Sequence, residues 1–220
     1  MKNNLKIIIF IIIVLVLVAF IYTATNKKVP TNALTPQNTS PVATVQDYKN
    51  FTDSNGSFSF NYNPFFSVSH GETTPSTDWE LNAQQNGLLL ASVNVPRTYM
   101  PKTNFSEAKL TIGKSSDKTA VKYCTVDTSS GQNIKGEATT ISGYPFTKFT
   151  FNDAGAGNFY ETTSYRGILG GNCYAIEYTM HSTNIGNYSP DQGIKEFNKA
   201  KIINDLESII KSLKIIVASN

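Results

Sequence analysis

The sequence predicts an α+β domain: an antiparallel β-sheet of about six to eight strands, rich in meander connections, with a C-terminal amphipathic helix and one shorter helix packed on it. One N-terminal transmembrane helix precedes that domain. Three observations carry this reading. Between Glu137 and His181 four strand-like runs follow one another, separated by Gly, Asn and Asp clusters. Ile202, Ile203, Leu206, Ile209, Ile210 and Leu213 recur at spacings of three and four, the period of one helix face. Ile7 to Tyr22 is an unbroken apolar run with Lys2 and Lys6 before it and Lys27 and Lys28 after it. The chain thus divides into an anchor (1–24), a linker (25–47) and an extracytoplasmic domain (48–220).

The apolar run rises about 24 to 27 Å as a helix, close to the roughly 30 Å hydrocarbon core. A helix is required, because every backbone N–H and C=O in lipid must find its partner within its own segment. A cleavable signal peptide is the competing reading. Its best cleavage site ends at Ala24, where Tyr22 occupies a position that should be small. Two lysines lie on each side, so the free amino terminus alone tips the start toward the cytoplasm. The expected location is therefore the cell membrane, single-pass, with the C-terminal domain outside the cytoplasm.

Composition excludes several classes of function. The net charge of +3 suggests a nucleic-acid or anionic partner, but four of the nineteen basic residues precede position 29 and all sixteen acids follow it. Fifteen against sixteen leaves the domain near neutral, without the clustered Lys and Arg that DNA or RNA requires. No nucleic acid is expected. The two cysteines, Cys124 and Cys173, lie in the segment that the anchor places in an oxidising compartment, where an even count favours a disulfide. Two buried thiols, or a redox or metal role, are the other readings. Neither His70 nor His181 has ligand-type spacing with either cysteine.

The linker, Thr25 to Asp47, is rich in Thr, Asn, Pro, Ser, Val and Ala and has neither helical nor strand period. Such a segment reads as an extended stalk. Within the domain, Tyr48 to Thr52 is a strand, Asp53 to Gly56 supplies a tight turn, and Phe58, Phe60 and Tyr62 alternate with Ser57, Ser59 and Asn61. The early glycine and Pro64 argue for that turn over a calcium loop. Pro64 to Phe66 breaks the strand, and a polar loop runs to Ser76. Trp79 to Gln85 and Leu88 to Val95 read as a hairpin across Asn86-Gly87. Phe105 to Gly113 is ambiguous: Asn104 and Glu107 fit a helix N-cap, while Ala108, Leu110 and Ile112 alternate. A short turn followed by a strand is expected. Asp117 caps a short helix that turns Ala120, Val121 and Cys124 inward.

Glu137 to Ile141, Phe146 to Phe151, Phe159 to Ile168 and Cys173 to His181 form the meander. In the last of these, Tyr174, Ile176, Tyr178 and Met180 share one face. Cys173, Ala175, Glu177, Thr179 and His181 share the other, with His181 a surface residue near the strand end. Thr183 to Asp191 is loop, and Lys214 to Val217 adds a short terminal strand.

The order of an aromatic strand, an Asn-Gly turn, Phe58-Ser59-Phe60-Asn61-Tyr62, a proline just after, a meander and a closing helix ending Ser212-Leu213-Lys214-Ile215 resembles the PsbP-like domains, and the membrane-anchored small bacterial proteins that share that layout. The resemblance covers roughly 48–217. It implies an antiparallel sheet with helices packed on it, acting as an accessory or assembly factor on a membrane-bound complex, with no catalytic apparatus to transfer.

No nucleophile elbow, phosphate-cradling glycine loop or zinc-binding helix is present in the sequence. No catalytic residue, cofactor or metal is expected, and the oligomeric state is not legible. The reading is a membrane-anchored extracytoplasmic binding or assembly-accessory module of the bacterial cell envelope, meeting an envelope protein or cell-wall polymer through loops such as Arg97 to Thr103 and Thr183 to Ser189. The alternative is an extracytoplasmic hydrolase, which requires a cleft where His70 or His181 meets a Ser or Asp.

Overall fold

The computed structural model describes residues 47–71, 87–127 and 134–216. The chain divides into two units, Met1–Thr44 and Val45–Asn220, and all described residues belong to the second. The anchor, nearly all of the linker, the strand expected at Trp79 to Gln85 and the turn at Asn86 therefore lie outside the described residues. No helix among the described residues is long and apolar enough to cross a membrane.

Twelve strands are described: β1 (Lys49–Thr52), β2 (Phe58–Tyr62), β3 (Ser67–His70), β4 (Leu88–Val95), β5 (Phe105–Ser115), β6 (Val126–Asp127), β7 (Ile134–Lys135), β8 (Glu137–Ile141), β9 (Tyr144–Gly155), β10 (Asn158–Leu169), β11 (Asn172–Thr183) and β12 (Lys214–Ile215). Two α-helices accompany them, α1 (Lys118–Tyr123) and α2 (Lys199–Ser212). The main sheet has seven strands in the order β3-β4-β5-β11-β10-β9-β8, and every pairing in it is antiparallel. The closing β8-to-β11 meander is present as the alternation predicts.

The expectation of a single sheet is corrected. β1, β2 and β12 form a separate three-stranded sheet, and β6 pairs with β7 alone. Two-residue strands carry too little pattern to reveal their partners. A second correction is β3: the segment after Pro64 was expected to be loop, but Ser67 to His70 pairs with Asn94 to Ala91 at the edge of the main sheet. A polar edge strand exposes most of its side chains and so lacks an apolar stripe. The third concerns the start of β5: the expected strand is there, but it opens at Phe105 itself, without the expected short turn, and runs through Ser115. Instead of capping a helix, the Asn104 amide donates to the Thr183 carbonyl (2.7 Å) and accepts from the Phe197 N–H (3.0 Å).

Local chemistry explains the elements that do match. At the β1–β2 turn Asp53 Oδ2 accepts from the Ser57 hydroxyl at 2.6 Å, and Gly56 takes φ of 66°, a conformation that costs side-chain-bearing residues most. Asp117 caps α1 by accepting from the backbone N–H groups of Thr119 (2.8 Å) and Ala120 (3.0 Å). Asn198 does the same for α2 by accepting from Lys201 N–H at 3.0 Å.

One face of α2 buries Ile202, Leu206, Ile209 and Ile210, followed by Leu213, in a core shared with Phe58 and Phe60 of β2 and with Leu110, Ile176 and Tyr178 of the main sheet. Each such aliphatic side chain contributes about 2 kcal/mol through burial. Polar contacts tie α2 to both sheets. Ser212 Oγ accepts from Asn61 N–H at 2.8 Å in the small sheet, and Glu207 accepts from the phenols of Tyr165 (2.5 Å) and Tyr178 (3.0 Å) in the large one.

Candidate functional site

With α2 on one face, the main sheet leaves its other face to polar side chains, and the strand register arranges these in rows. Asp153, Tyr160, His181 and Glu107 stand directly opposite one another across β9, β10, β11 and β5. One step inward come Phe151, Thr162, Thr179, Lys109 and Asn94, with the Thr162 and Thr179 hydroxyls 2.8 Å apart. Next come Phe149, Ser164, Glu177, Thr111 and Ser92, and then Thr147, Arg166, Ala175 and Gly113. Burial deepens along this direction. Tyr160 in the outermost row is 38% exposed, whereas Arg166 is 2% and Glu177 6% exposed.

Charged groups are rarely buried to this degree, because losing their hydration is costly unless partners replace the water. The Arg166 Nε donates to Ser164 Oγ at 3.0 Å, and its guanidinium lies over the rings of Phe149 (4.9 Å) and Phe151 (5.7 Å). The register sets Arg166 diagonal to Glu177 on the same face, a distance that long side chains span.

The inner end of this face is closed by α1. Cys124, just after α1, is bonded to Cys173 of β11 with Cα atoms 5.6 Å apart, and both are fully buried beside Ala175 and Val121. Both cysteines thus lie where the alternation of β11 puts Cys173, on the face opposite α2. The bridge fastens the residue that follows α1 to β11.

The histidines occupy separate places. His181 Nε2 is 2.8 Å from the side-chain oxygen of Asn158, and its ring stacks on Tyr160 with centroids 4.5 Å apart. His70 lies on edge strand β3 with its ring 4.8 Å from that of Phe51. Among the described residues neither imidazole is hydrogen-bonded to a serine or an aspartate, and no group of three or more His, Cys, Asp and Glu is placed to hold a metal ion.

The loops expected to meet a partner are engaged internally. Tyr99, at the end of a short 3-10 turn, donates its phenol to Asp205 (2.9 Å) and accepts from Lys201 Nζ (2.6 Å) and Asn63 (3.0 Å). Burial, opposed by Lys201 and reinforced by Asp205, holds that phenol above its ordinary titration range. The Thr183 to Ser189 loop supports the tip of the β9–β10 hairpin. Asn184 N–H donates to the Gly157 carbonyl at 2.8 Å, and a Cβ at Gly157 would lie 2.7 Å from the Asn187 amide nitrogen.

What that hairpin does expose is aromatic. Phe159 and Tyr160 are 40% and 38% exposed, and as consecutive strand residues they point to opposite faces of β10. They help to line an open groove of about 370 Å³ together with Asn152, Asp153, Glu161 and Ser182. Glu161 forms an ion pair with Lys199 and so ties the groove wall to the start of α2. Sequence reading missed this groove, because two adjacent aromatics inside an alternating run read as one strand with a residue on each side. They stand just past the turn at Ala156-Gly157, both of whose residues have positive φ.

No family model and no curated protein matches the chain. Among solved structures it is similar to a protein of Bacteroides thetaiotaomicron VPI-5482, at 13% identity and a TM-score of 0.37; the match covers 76% of this chain and 48% of that one, so this chain spans about half the length of that relative. It is similar to LpqN of Mycobacterium tuberculosis, described as involved in cell envelope biogenesis, at 8% identity and a TM-score of 0.35, over 78% of this chain and 87% of the other. It is also similar to the cyanobacterial PsbP (CyanoP) of Synechocystis sp. PCC 6803, at 9% identity and a TM-score of 0.29, over 82% of this chain and 99% of the other. A PsbP therefore stands among the solved structures that this chain resembles, and likeness at this level transfers neither activity nor partner.

Proposed function

We propose that this protein is a non-catalytic binding or assembly-accessory module, anchored in a bacterial membrane by residues 1–24 and holding its α+β domain in the cell envelope. The observation that carries the binding role is the groove at the β9–β10 hairpin, where Phe159 and Tyr160 remain exposed beside Asn152, Asp153 and Glu161. Concave sites that pair apolar surface with a few placed polar groups are the usual form of a recognition site. The Cys124–Cys173 bridge supports the extracytoplasmic placement, since such bonds persist in oxidising compartments. The partner is an envelope protein or wall polymer.

The hydrolase alternative draws no support from the histidines, whose contacts are an amide and two aromatic rings. The test is photo-crosslinking in the native cell from a benzoyl-phenylalanine at position 159, with the same probe at Ile168, an exposed residue of the same strand, as the control. A discrete adduct at 159 that is missing at 168 supports the groove as the contact. Equal capture at both positions, or none, refutes it.

A further inference from the structure

In the turn between β2 and β3, the most exposed large apolar side chain of the described residues is Phe65, 73% exposed. The turn that holds it is well built. Phe65 N–H donates to the Asn63 side-chain oxygen (3.0 Å), Phe66 N–H donates to the Asn63 carbonyl (2.9 Å), and Phe66 itself is buried. Asn63 is in turn held by Tyr99, whose ring centroid is 6.0 Å from that of Phe65. A fixed turn thus presents a phenyl ring outward, where it contributes little to the core.

Tyr48, 47% exposed, belongs to the same end. The β1–β2 register pairs Lys49 with Tyr62, which places Tyr48 level with Asn63 at the base of that turn. Lys49, next to Tyr48 in the chain, and Arg97, two residues before Tyr99, are exposed cations, and the Lys201 ammonium lies 4.8 Å from the centre of the Tyr99 ring. Asp205 pairs with Lys201, and the exposed Asp47 precedes Tyr48 in the chain. This is also the end at which residues 1–46, with the apolar run Ile7 to Tyr22, join the domain.

We propose that Phe65 and Tyr48 dock this end of the domain on the surface of the bilayer, with Phe65 entering the headgroup boundary and Lys49 and Arg97 meeting anionic lipid. Aromatic rings flanked by basic side chains are the composition that partitions to the membrane interface, and each basic residue near an anionic surface contributes about 1 kcal/mol, a factor of roughly five. The tether supplies what two rings and two cations lack alone. A segment the length of 25–47 confines the domain within several tens of ångströms of the lipid, so a weak contact is populated. The inference rests on the membrane-anchored reading above.

The test uses the full chain in vesicles of equal parts phosphatidylcholine and phosphatidylglycerol. In a Trp79→Phe background, which removes the sole tryptophan, Phe65→Trp is compared with Ile168→Trp, at an exposed position six register steps along the sheet from the row of Ser67, for quenching by brominated acyl chains. Several-fold stronger quenching at 65 than at 168, reduced by high salt or by Lys49→Gln with Arg97→Gln, is the expected result. Equal quenching, or stronger quenching at 168, overturns the proposal. Should the Trp79→Phe background fold poorly, benzoyl-phenylalanine at 65 with Trp79 retained reads lipid crosslinking directly, and its failure to label lipid overturns the proposal equally. A chain that does not float with the vesicles overturns the anchored reading, and this inference with it.

Discussion

Reducing the Cys124–Cys173 bridge removes a covalent closure between residues 49 apart in sequence and, in contrast to substitution, deletes no buried atoms. In the chain-entropy description a loop of that length contributes about 4 kcal/mol at 25 °C. For a domain of this size each kilocalorie moves the melting temperature by roughly 2 to 4 °C, so reduction is expected to lower it by roughly 8 to 16 °C. The loss has a location as well as a size. α1 is six residues long, and of these only Ala120 is buried, so the bridge is what holds it on the sheet. Reduced protein is therefore expected to exchange the amides of Val121 to Cys124 faster while those of Leu206 to Ile210 stay protected. The assay is thermal melting by circular dichroism with and without reductant, followed by hydrogen exchange. A drop of less than about 2 °C refutes the claim that closing this loop stabilises the fold. Uniform acceleration across α2 refutes the local form of the argument.

Three further expectations follow from the polar contacts. Glu207→Ala strands the two buried phenols of Tyr165 and Tyr178 and is expected to cost about 3 kcal/mol in urea unfolding, with Glu207→Gln, which keeps an acceptor, costing less; equal losses for both variants would show that the contacts to Glu207 are unimportant. Stability is expected to fall as pH rises above 10: burial first, then Glu207, push Tyr165 up, and burial with Glu207 takes Tyr178 up to about 12, so the unfolded chain loses these protons at its ordinary value of 10.0 while the folded chain keeps them. Stability from these groups is full below pH 10, and the share from Tyr178 is lost through about 12 while that from Tyr165 persists to higher pH; a Tyr178→Phe variant whose unfolding midpoint falls as steeply between 10 and about 12 would remove Tyr178 from the account. Asp117→Ala deletes the acceptor for two N–H groups at the start of α1 and is expected to cost about 1 kcal/mol, with Asp117→Asn close to wild type; an unchanged melting temperature for the alanine variant would show that the bridge alone positions this helix.

Much of the fold is legible one element at a time. The three-and-four recurrence from Ile202 to Leu213 locates α2, the alternation after Glu137 locates the meander, and Asp117 marks the start of α1, because caps and periodicity depend on residues only a few positions apart. The split of β11 into a core face and a polar face was readable in the same way, with Ile176 and Tyr178 inward and Glu177 and His181 opposite. Less of the candidate site was legible. The loops expected to bind are bound already, through Tyr99 to Asp205 and through Asn184 to Gly157, and the exposed pair at Phe159 and Tyr160 lay inside what read as an ordinary strand.

Taken alone, then, the sequence determined the longer patterned elements and their buried faces, the two cysteines as candidates for a bridge, and the apolar N-terminal run, since each of these is a property of neighbouring residues. Only the tertiary structure decided that Glu207 would meet Tyr165 and Tyr178, that Arg166 would lie over Phe149 on the face opposite α2, that β12 would join β2 in a second sheet, and that Phe65 would be left outside the core. Those outcomes depend on strand register and helix placement, which bring together residues far apart in the chain and follow from the packing of the whole core rather than from any local pattern.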